Sequence, residues 1–350
     1  MRCERLSNLE RSTLVDLGDE MEPIQKLLVI RLDGLGDALA TVPLLEGLAR
    51  AQPSARISVV CSSKNAGVFA PERVVRLRAD GPGFADELRS VRYDAAIVAT
   101  EEVAGYHLAR ASGAARRIGF WHGLDKPFKS LWQRAQLTDA VKRPAAWVRR
   151  PEHEVETLYR LGAPVGAAGP PPADARQLRG WLEVRRDAAA ANVEAALGFQ
   201  IAAKLTTGGW GPAAIAKFIE SAWAASRLRR CALICAPPDE RLARATLERL
   251  DAAVGDGRVS LAISMHTSHW FGTLDALAAL VTPDTGAAHA AGILGVPVVD
   301  LFEADRFAEL SRRWRPWATQ AACAIKPAWR SGVEAAFGRE VGAAISEIAR

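Results

Sequence analysis

The chain is 350 residues long, more than one hydrophobic core ordinarily serves, so its length favours two domains. It is 49% apolar and 24% charged, the balance of a soluble globular protein. Its net charge of +5 suits anionic ligands or a membrane surface and is too small to diagnose nucleic-acid binding. No run reaches the ~18–20 apolar residues that a bilayer span needs. Residues 1–24 carry both charge signs and no apolar stretch of the signal-peptide kind, so they read as a disordered tail, with Met21 as an alternative start. The five cysteines (Cys3, Cys61, Cys231, Cys235, Cys323) lack metal-ligand spacing and read as small hydrophobes in a reducing cytosol, so a cytoplasmic protein is expected.

From Lys26 the pattern alternates between strand and helix. LLVIRL (27–32) is a short apolar run of the kind buried on both faces of a parallel sheet. A glycine turn, DGLGDA, leads into ALATVPLLEGLARAQ (38–52), which has helical periodicity. ARISVVC (55–61) and YDAAIVAT (93–100) are further strands. This order implies right-handed βαβ units and a parallel sheet. Residues 25–165 therefore form a first Rossmann-like domain. The stretch 166–180, with consecutive Pro170, Pro171 and Pro172, reads as a linker, because proline breaks both helices and central strands.

The rhythm restarts over 181–350. Strands are expected at IAAKLTT (201–207), CALICA (231–236) and VPVVDLF (296–302). Helices are expected at AAIAKFIESAWAAS (213–226), DERLARATLERLDAAV (239–254), LDALAAL (274–280), AAHAAGILG and the terminal EVGAAISEIAR. The last helix is expected to reach back onto the first domain.

Chemistry can sit at the turns that end these strands, since ligands of open α/β sheets bind beyond the strands' carboxyl ends. In the first turn, Gly34 and Gly36 permit a close backbone approach to a ligand. A dinucleotide fingerprint would need glycine where Leu39 stands, so an oxidoreductase has little support. Asp37 is either a helix cap or a general base at the mouth of a cleft. Asp284-Thr285-Gly286, followed by His289 one turn on, offers free N–H groups and a hydroxyl for a diphosphate. Lys204, Thr206 and Thr207 end another strand, and Glu240 begins the helix after the next, where a carboxylate can hold ribose hydroxyls. Each has a plainer reading as a cap or polar turn. His153-Glu154 lacks the second histidine of a zinc motif, position 157 being Thr, and no serine sits in a nucleophile elbow. The pairs Arg116-Arg117, Arg149-Arg150 and Arg312-Arg313 read as solvated faces, some of which could meet a phosphorylated acceptor.

Taken in order, these segments resemble glycosyltransferase family 9, the bacterial lipopolysaccharide heptosyltransferases. The resemblance is carried by the stretch from KLLVIRLDGLGDALATVPLL, by SGAARRIGF (112–120), by HEVETLYRLGAP (153–164) and above all by DTGAAHAAGILGVPVVDLF (284–302). It implies a GT-B architecture, two Rossmann-like domains facing a cleft, and inverting transfer from a nucleotide-activated sugar, usually ADP-heptose, with no metal or cofactor. Carried over by motif, Asp37 is the catalytic base. Asp284, Thr285, Gly286 and His289 bind the donor's diphosphate and sugar. Thr206 and Thr207 contact phosphate, and Glu240 the ribose. The implied acceptor is an anionic glycolipid or glycan, with peripheral contact at the inner membrane.

Two positions depart from the family pattern. Gly209 precedes Trp210 where the family carries Lys or Arg, leaving Lys204 as the substitute cation if it points into the cleft. Glu303 follows Phe302 where the family has glycine. These departures keep open a degenerate member acting as a binding or assembly protein. A nucleotide-sugar epimerase of similar architecture, which would not need Asp37, is the other alternative.

Overall fold

The computed structural model describes residues 23–79, 81, 83–145, 151–254 and 258–349. Two six-stranded parallel sheets form two doubly wound domains. The first contains β1 (Lys26–Arg31), β2 (Arg56–Cys61), β3 (Val75–Arg78), β4 (Ala95–Val98), β5 (Arg116–Trp121) and β6 (Asp139–Lys142), in the order β3-β2-β1-β4-β5-β6. The second contains β7 (Leu197–Ile201), β8 (Cys231–Cys235), β9 (Val259–Ile263), β10 (Ala279–Pro283), β11 (Val298–Phe302) and β12 (Ala321–Ile325), in the order β12-β11-β10-β7-β8-β9. Each sheet reverses direction once, between β1 and β4 and between β7 and β10. At such a switch point the flanking connections diverge to opposite faces and leave a crevice beyond the strand ends.

Central strands read clearly in the sequence because both faces are covered: five of the six residues of β1 are buried, as are all five of β7, β8, β10 and β11. Cys61, Cys231 and Cys235 are buried free thiols among them, with pKa values that burial raises. One apolar core runs through both domains: Leu39, Val42 and Leu45 of the helix Leu35–Ala51 share a cluster with Ala287, Ala291 and Ile293 of the helix Gly286–Leu294. These two helices thus join the domains.

Several expectations need correction. The strand expected at 201–207 stops at Ile201, and Lys204, Thr206 and Thr207 lie in a tight turn spanning Ala203–Gly209. The helix expected at 274–280 is split: a helix ends at Asp275 and β10 begins at Ala279. The last helix, Val333–Ile348, packs on Pro212–Ser226 of its own domain rather than on the first; the Ser346 hydroxyl donates to the Ala225 carbonyl there. Residues 166–180 do not hang free, since the short helix Ala175–Leu178 leads to Trp181, which is buried and donates to Glu46 at 2.8 Å. The proposed tail lies outside the described residues up to position 22, and Ile24 is already in the core. Among the described residues, no helix is long and apolar enough to cross a membrane.

Candidate active site

β1 ends in Arg31, only 3% exposed. Its guanidinium lies 2.9 Å from the Asp37 carboxylate and 3.5 Å from that of Asp33, and it donates to the Ala99 carbonyl just past β4. The Arg31 group therefore occupies the switch point of the first sheet. Asp37 is not the helix cap: Gly34 holds that position, and Asp37 sits in the first turn. Burial raises the Asp37 pKa; Arg31 opposes the shift, Asp33 and Glu154 add to it, and the Gly34 N–H opposes it. The carboxylate is thus a stronger proton acceptor than an exposed aspartate, which is what a general base requires.

Behind Asp37 lies a chain of alternating charges. Glu101 meets Arg143 at 3.1 Å, Arg143 meets Glu154 at 2.8 Å, and Glu154 meets Arg313 at 2.9 Å. The last link crosses the cleft, because Arg313 belongs to the second domain's helix Phe307–Trp314. His122 stands 3.7 Å from Glu101, whose pKa falls to about 2, chiefly through His122. Two adjoining cavities of about 240 and 210 Å³ share Glu101, Arg143, Glu154 and Arg313, and Asp37 lines the larger. His153 uses both ring nitrogens: Nδ1 accepts from the Val155 N–H, so Nε2–H donates to the Arg315 carbonyl at 2.8 Å across the domains. That excludes zinc ligation by His153 in this arrangement. Arg313 is an interdomain ion-pair partner rather than a solvated charge, and Arg116 pairs with Asp139; Arg149 and Arg150 lie outside the described residues.

The second sheet's switch point carries Asp284. Lys204 reaches it from the turn after β7, with Nζ 2.8 Å from the carboxylate. Thr285 caps the helix Gly286–Leu294, its hydroxyl accepting from the Ala287 N–H. Thr206 and Thr207 donate within their own turn, to the carbonyls of Ala203 and Lys204. The single Thr207 hydroxyl proton can point instead to the Glu303 carboxylate, which lies 3.4 Å from the Lys326 ammonium. Lys326 follows β12 and is 4% exposed; Nζ donates to the Thr207 carbonyl at 2.6 Å and lies 5.7 Å above the Trp210 ring. Glu240 pairs with Arg244 and lines a separate surface hollow with Pro237 and Pro238. Beneath Asp284, Asp300 is fully buried with neither carboxyl oxygen at hydrogen-bonding geometry to a partner, and burial raises its pKa well above the ordinary value.

The two switch points face each other at contact distance. A Cβ added at Gly286 would come within 2.6 Å of Leu35 Cδ2, and one at Gly36 within 3.0 Å of His289 Cδ2. Two helix N-termini therefore abut, with Asp37 one residue beyond Gly36 and Thr285 one before Gly286. Such termini favour anions, while the carboxylate of Asp37 can take a proton. His289 packs against Trp314, and burial lowers its pKa to about 4, so it is neutral at pH 7. Among the described residues, no group of three or more His, Cys, Asp or Glu is arranged to hold a metal ion.

The structure therefore gathers Gly34, Gly36 and Asp37 with Gly286 and His289, and Lys204 with Asp284. Sequence reasoning missed Arg31, Glu101, His122, Arg143, Glu154 and Lys326 as parts of this region, and read Arg313 as a solvated charge or an acceptor contact rather than an interdomain ion-pair partner. Arg31 and Lys326 left a signal: each is a lone cation directly ending an apolar strand.

Two facing doubly wound domains, with ligand crevices opposed at their switch points, define a GT-B glycosyltransferase fold. The model of glycosyltransferase family 9 (heptosyltransferase) matches residues 83–332, and the chain belongs to that family, which supports glycosyl transfer of the heptosyltransferase type. No curated protein sequence gives a significant match. Solved structures share the fold at low identity. E. coli ADP-heptose lps heptosyltransferase II has a TM-score of 0.66 at 16% identity, covering 92% of this chain and 99% of its own. E. coli heptosyltransferase WaaC with ADP has a TM-score of 0.65 at 16% identity, covering 87% and 94%. The same enzyme with ADP-2-deoxy-2-fluoro heptose has 0.63 at 18%, covering 85% and 93%.

Proposed function

We propose that this protein transfers a sugar, foremost a heptose, from a nucleotide-activated donor, foremost ADP-heptose, to a hydroxyl of a lipopolysaccharide-type or other cell-surface glycan. The observation that carries the reading is the juxtaposition of Asp37, raised in basicity by burial, with the abutting N-terminus of the helix Gly286–Leu294. Asp37 takes the proton of the acceptor hydroxyl as its oxygen attacks the anomeric carbon. The bond from that carbon to the diphosphate oxygen breaks on the opposite face, so configuration inverts. The departing diphosphate gains negative charge next to N–H groups following Asp284, the Thr285 hydroxyl and the ammonium of Lys204. These fixed donors make a metal ion unnecessary. Closure of the cleft excludes water, which would otherwise hydrolyse the donor. Family membership supports the donor class; the acceptor enters through the cavity beside Asp37 and Glu154, with the enzyme at the cytoplasmic membrane face.

Calorimetric titration with ADP, UDP and GDP in the presence of a chelator tests this reading. Saturable binding of one of them, lost in Asp284→Ala, supports a metal-independent donor site. A second reading, a binding or assembly protein without turnover, is favoured by one observation: Lys204 and Lys326 are both already paired with internal carboxylates. It requires that a nucleotide-sugar, if bound, is never consumed with any glycan acceptor.

A further inference from the structure

Glu303 is held as a phosphate would be held. One of its carboxylate oxygens, Oε1, can accept from the Thr207 hydroxyl and lies 3.4 Å from the Lys326 ammonium. A hydroxyl and an ammonium converging on one anionic oxygen is the donor set that nucleotide-binding turns offer to phosphate. Lys326 differs from Glu303 in how firmly it is fixed. Lys326 is 4% exposed, anchored on the Thr207 carbonyl and stacked over Trp210, and its own backbone N–H donates to the Phe302 carbonyl at 2.7 Å. Thr207 belongs to a turn tied down by the Trp329 N–H donating to the Gly208 carbonyl. Glu303 instead stands in the loop between β11 and the helix Phe307–Trp314, with its side chain 40% exposed. A buried, anchored ammonium paired with a partly exposed carboxylate describes a site whose internal anion can leave.

A buried ammonium with one loosely held carboxylate as its counterion is also an unusual structural device. Apolar packing would fill that space with less desolvation. Burial lowers the Lys326 pKa, and Glu303 opposes that shift. The pair lies at the carboxyl ends of β11 and β12, on the crevice side of the sheet and next to the strand that carries Asp284.

We propose that Lys326 is a diphosphate-binding cation of the donor site and that Glu303 is an internal stand-in for the nucleotide's phosphate, displaced when the donor enters. This rests on the donor-site reading above. Release of the carboxylate is an exchange of one anion for another, because the buried ammonium stays paired only if the diphosphate takes the place that Glu303 leaves. A diphosphate brings more charge and more acceptor oxygens to the same donors than one carboxylate does. Without nucleotide, Glu303 keeps Lys326 and Thr207 in their binding positions.

The test is titration of the full chain with ADP, UDP, GDP and the matching nucleosides, for wild type, Glu303→Gln, Lys326→Met and the double variant. Glu303→Gln should tighten diphosphate binding by roughly fivefold and leave nucleoside binding unchanged. Lys326→Met should weaken diphosphate binding by about tenfold or more, again sparing the nucleoside, and should abolish the gain from Glu303→Gln. Binding that appears only in Glu303→Gln, with wild type silent, supports the proposal in its strongest form. Unchanged or weaker diphosphate binding in Glu303→Gln overturns it and leaves the donor-site reading intact. Equal losses for nucleoside and diphosphate in Lys326→Met do the same. Absence of all nucleotide binding in wild type and Glu303→Gln overturns both.

Discussion

The Arg31 guanidinium holds the Asp37 carboxylate at 2.9 Å from a buried position at the end of β1. It is the principal influence that holds the Asp37 pKa down against burial. In Arg31→Met that influence is gone, so Asp37 should need a higher pH to ionise. A carboxylate base works above its pKa, hence the acid limb of the transfer rate should move to higher pH, with Arg31→Lys restoring much of the wild-type profile. A pH–rate series on the three proteins reads this directly. An unmoved acid limb would remove Arg31 from the account.

Gly286 and Leu35 meet at the seam between the domains, where a Cβ at Gly286 would press within 2.6 Å of Leu35 Cδ2. Gly286→Ala should open the seam slightly and lower kcat by about tenfold to a hundredfold, because small misplacements of reacting groups are costly. Nucleotide affinity should fall as well, because Gly286 opens the helix whose N–H groups face the diphosphate. Leu35→Ala in the same chain should recover most of the rate, and a double-mutant cycle measures the coupling. Additive losses would show that the contact does not set the cleft geometry.

His289 has its pKa lowered from 6.5 to about 4, through burial first and the nearby His153 after the opposing effect of Asp284. A group with a depressed cationic pKa favours the folded state above its unfolded value and loses that contribution as pH falls. Stability should therefore drop between pH 6.5 and 4, by up to about 3 kcal/mol from this residue alone. Thermal melts of His289→Gln should show a shallower fall over that window. An identical slope in both proteins would contradict the burial argument.

The fold was legible wherever a strand is covered on both faces. β1, β2, β4, β8 and β11 announce themselves as apolar runs, whereas β7 was expected four residues too late and β3, β5 and β6 carry Arg76, Arg78, Arg116, Arg117, Asp139 and Lys142 and pass for loops. At 274–280 a helix end and a strand start share one Leu/Ala-rich run, and periodicity cannot separate them. Asp37, Gly286 and His289, which the structure brings together, could be singled out because each sits in a contiguous motif at a strand end. Glu101, Arg143, Glu154 and Arg313 come together only through tertiary pairing of distant segments, and no local pattern marks them.

Glu154 is the shared partner of Arg143 and Arg313, with its side chain 4% exposed. Glu154→Ala leaves the buried Arg143 guanidinium and Arg313 without that counterion, a change that typically costs about 3–5 kcal/mol. Urea denaturation should show a loss of that order, together with weaker coupling between the two domains' unfolding transitions. A loss below about 1 kcal/mol would mean that solvent replaces the pair readily.

The central claim is that Asp37 removes the acceptor's proton. It is tested by comparing wild type and Asp37→Asn for nucleoside diphosphate release from ADP-heptose in the presence of a lipopolysaccharide-type glycan acceptor, with nucleotide affinity measured alongside. Turnover should fall by about 10²–10⁴-fold while nucleotide affinity holds. Turnover retained in Asp37→Asn would contradict the claim, because an amide cannot serve as the base.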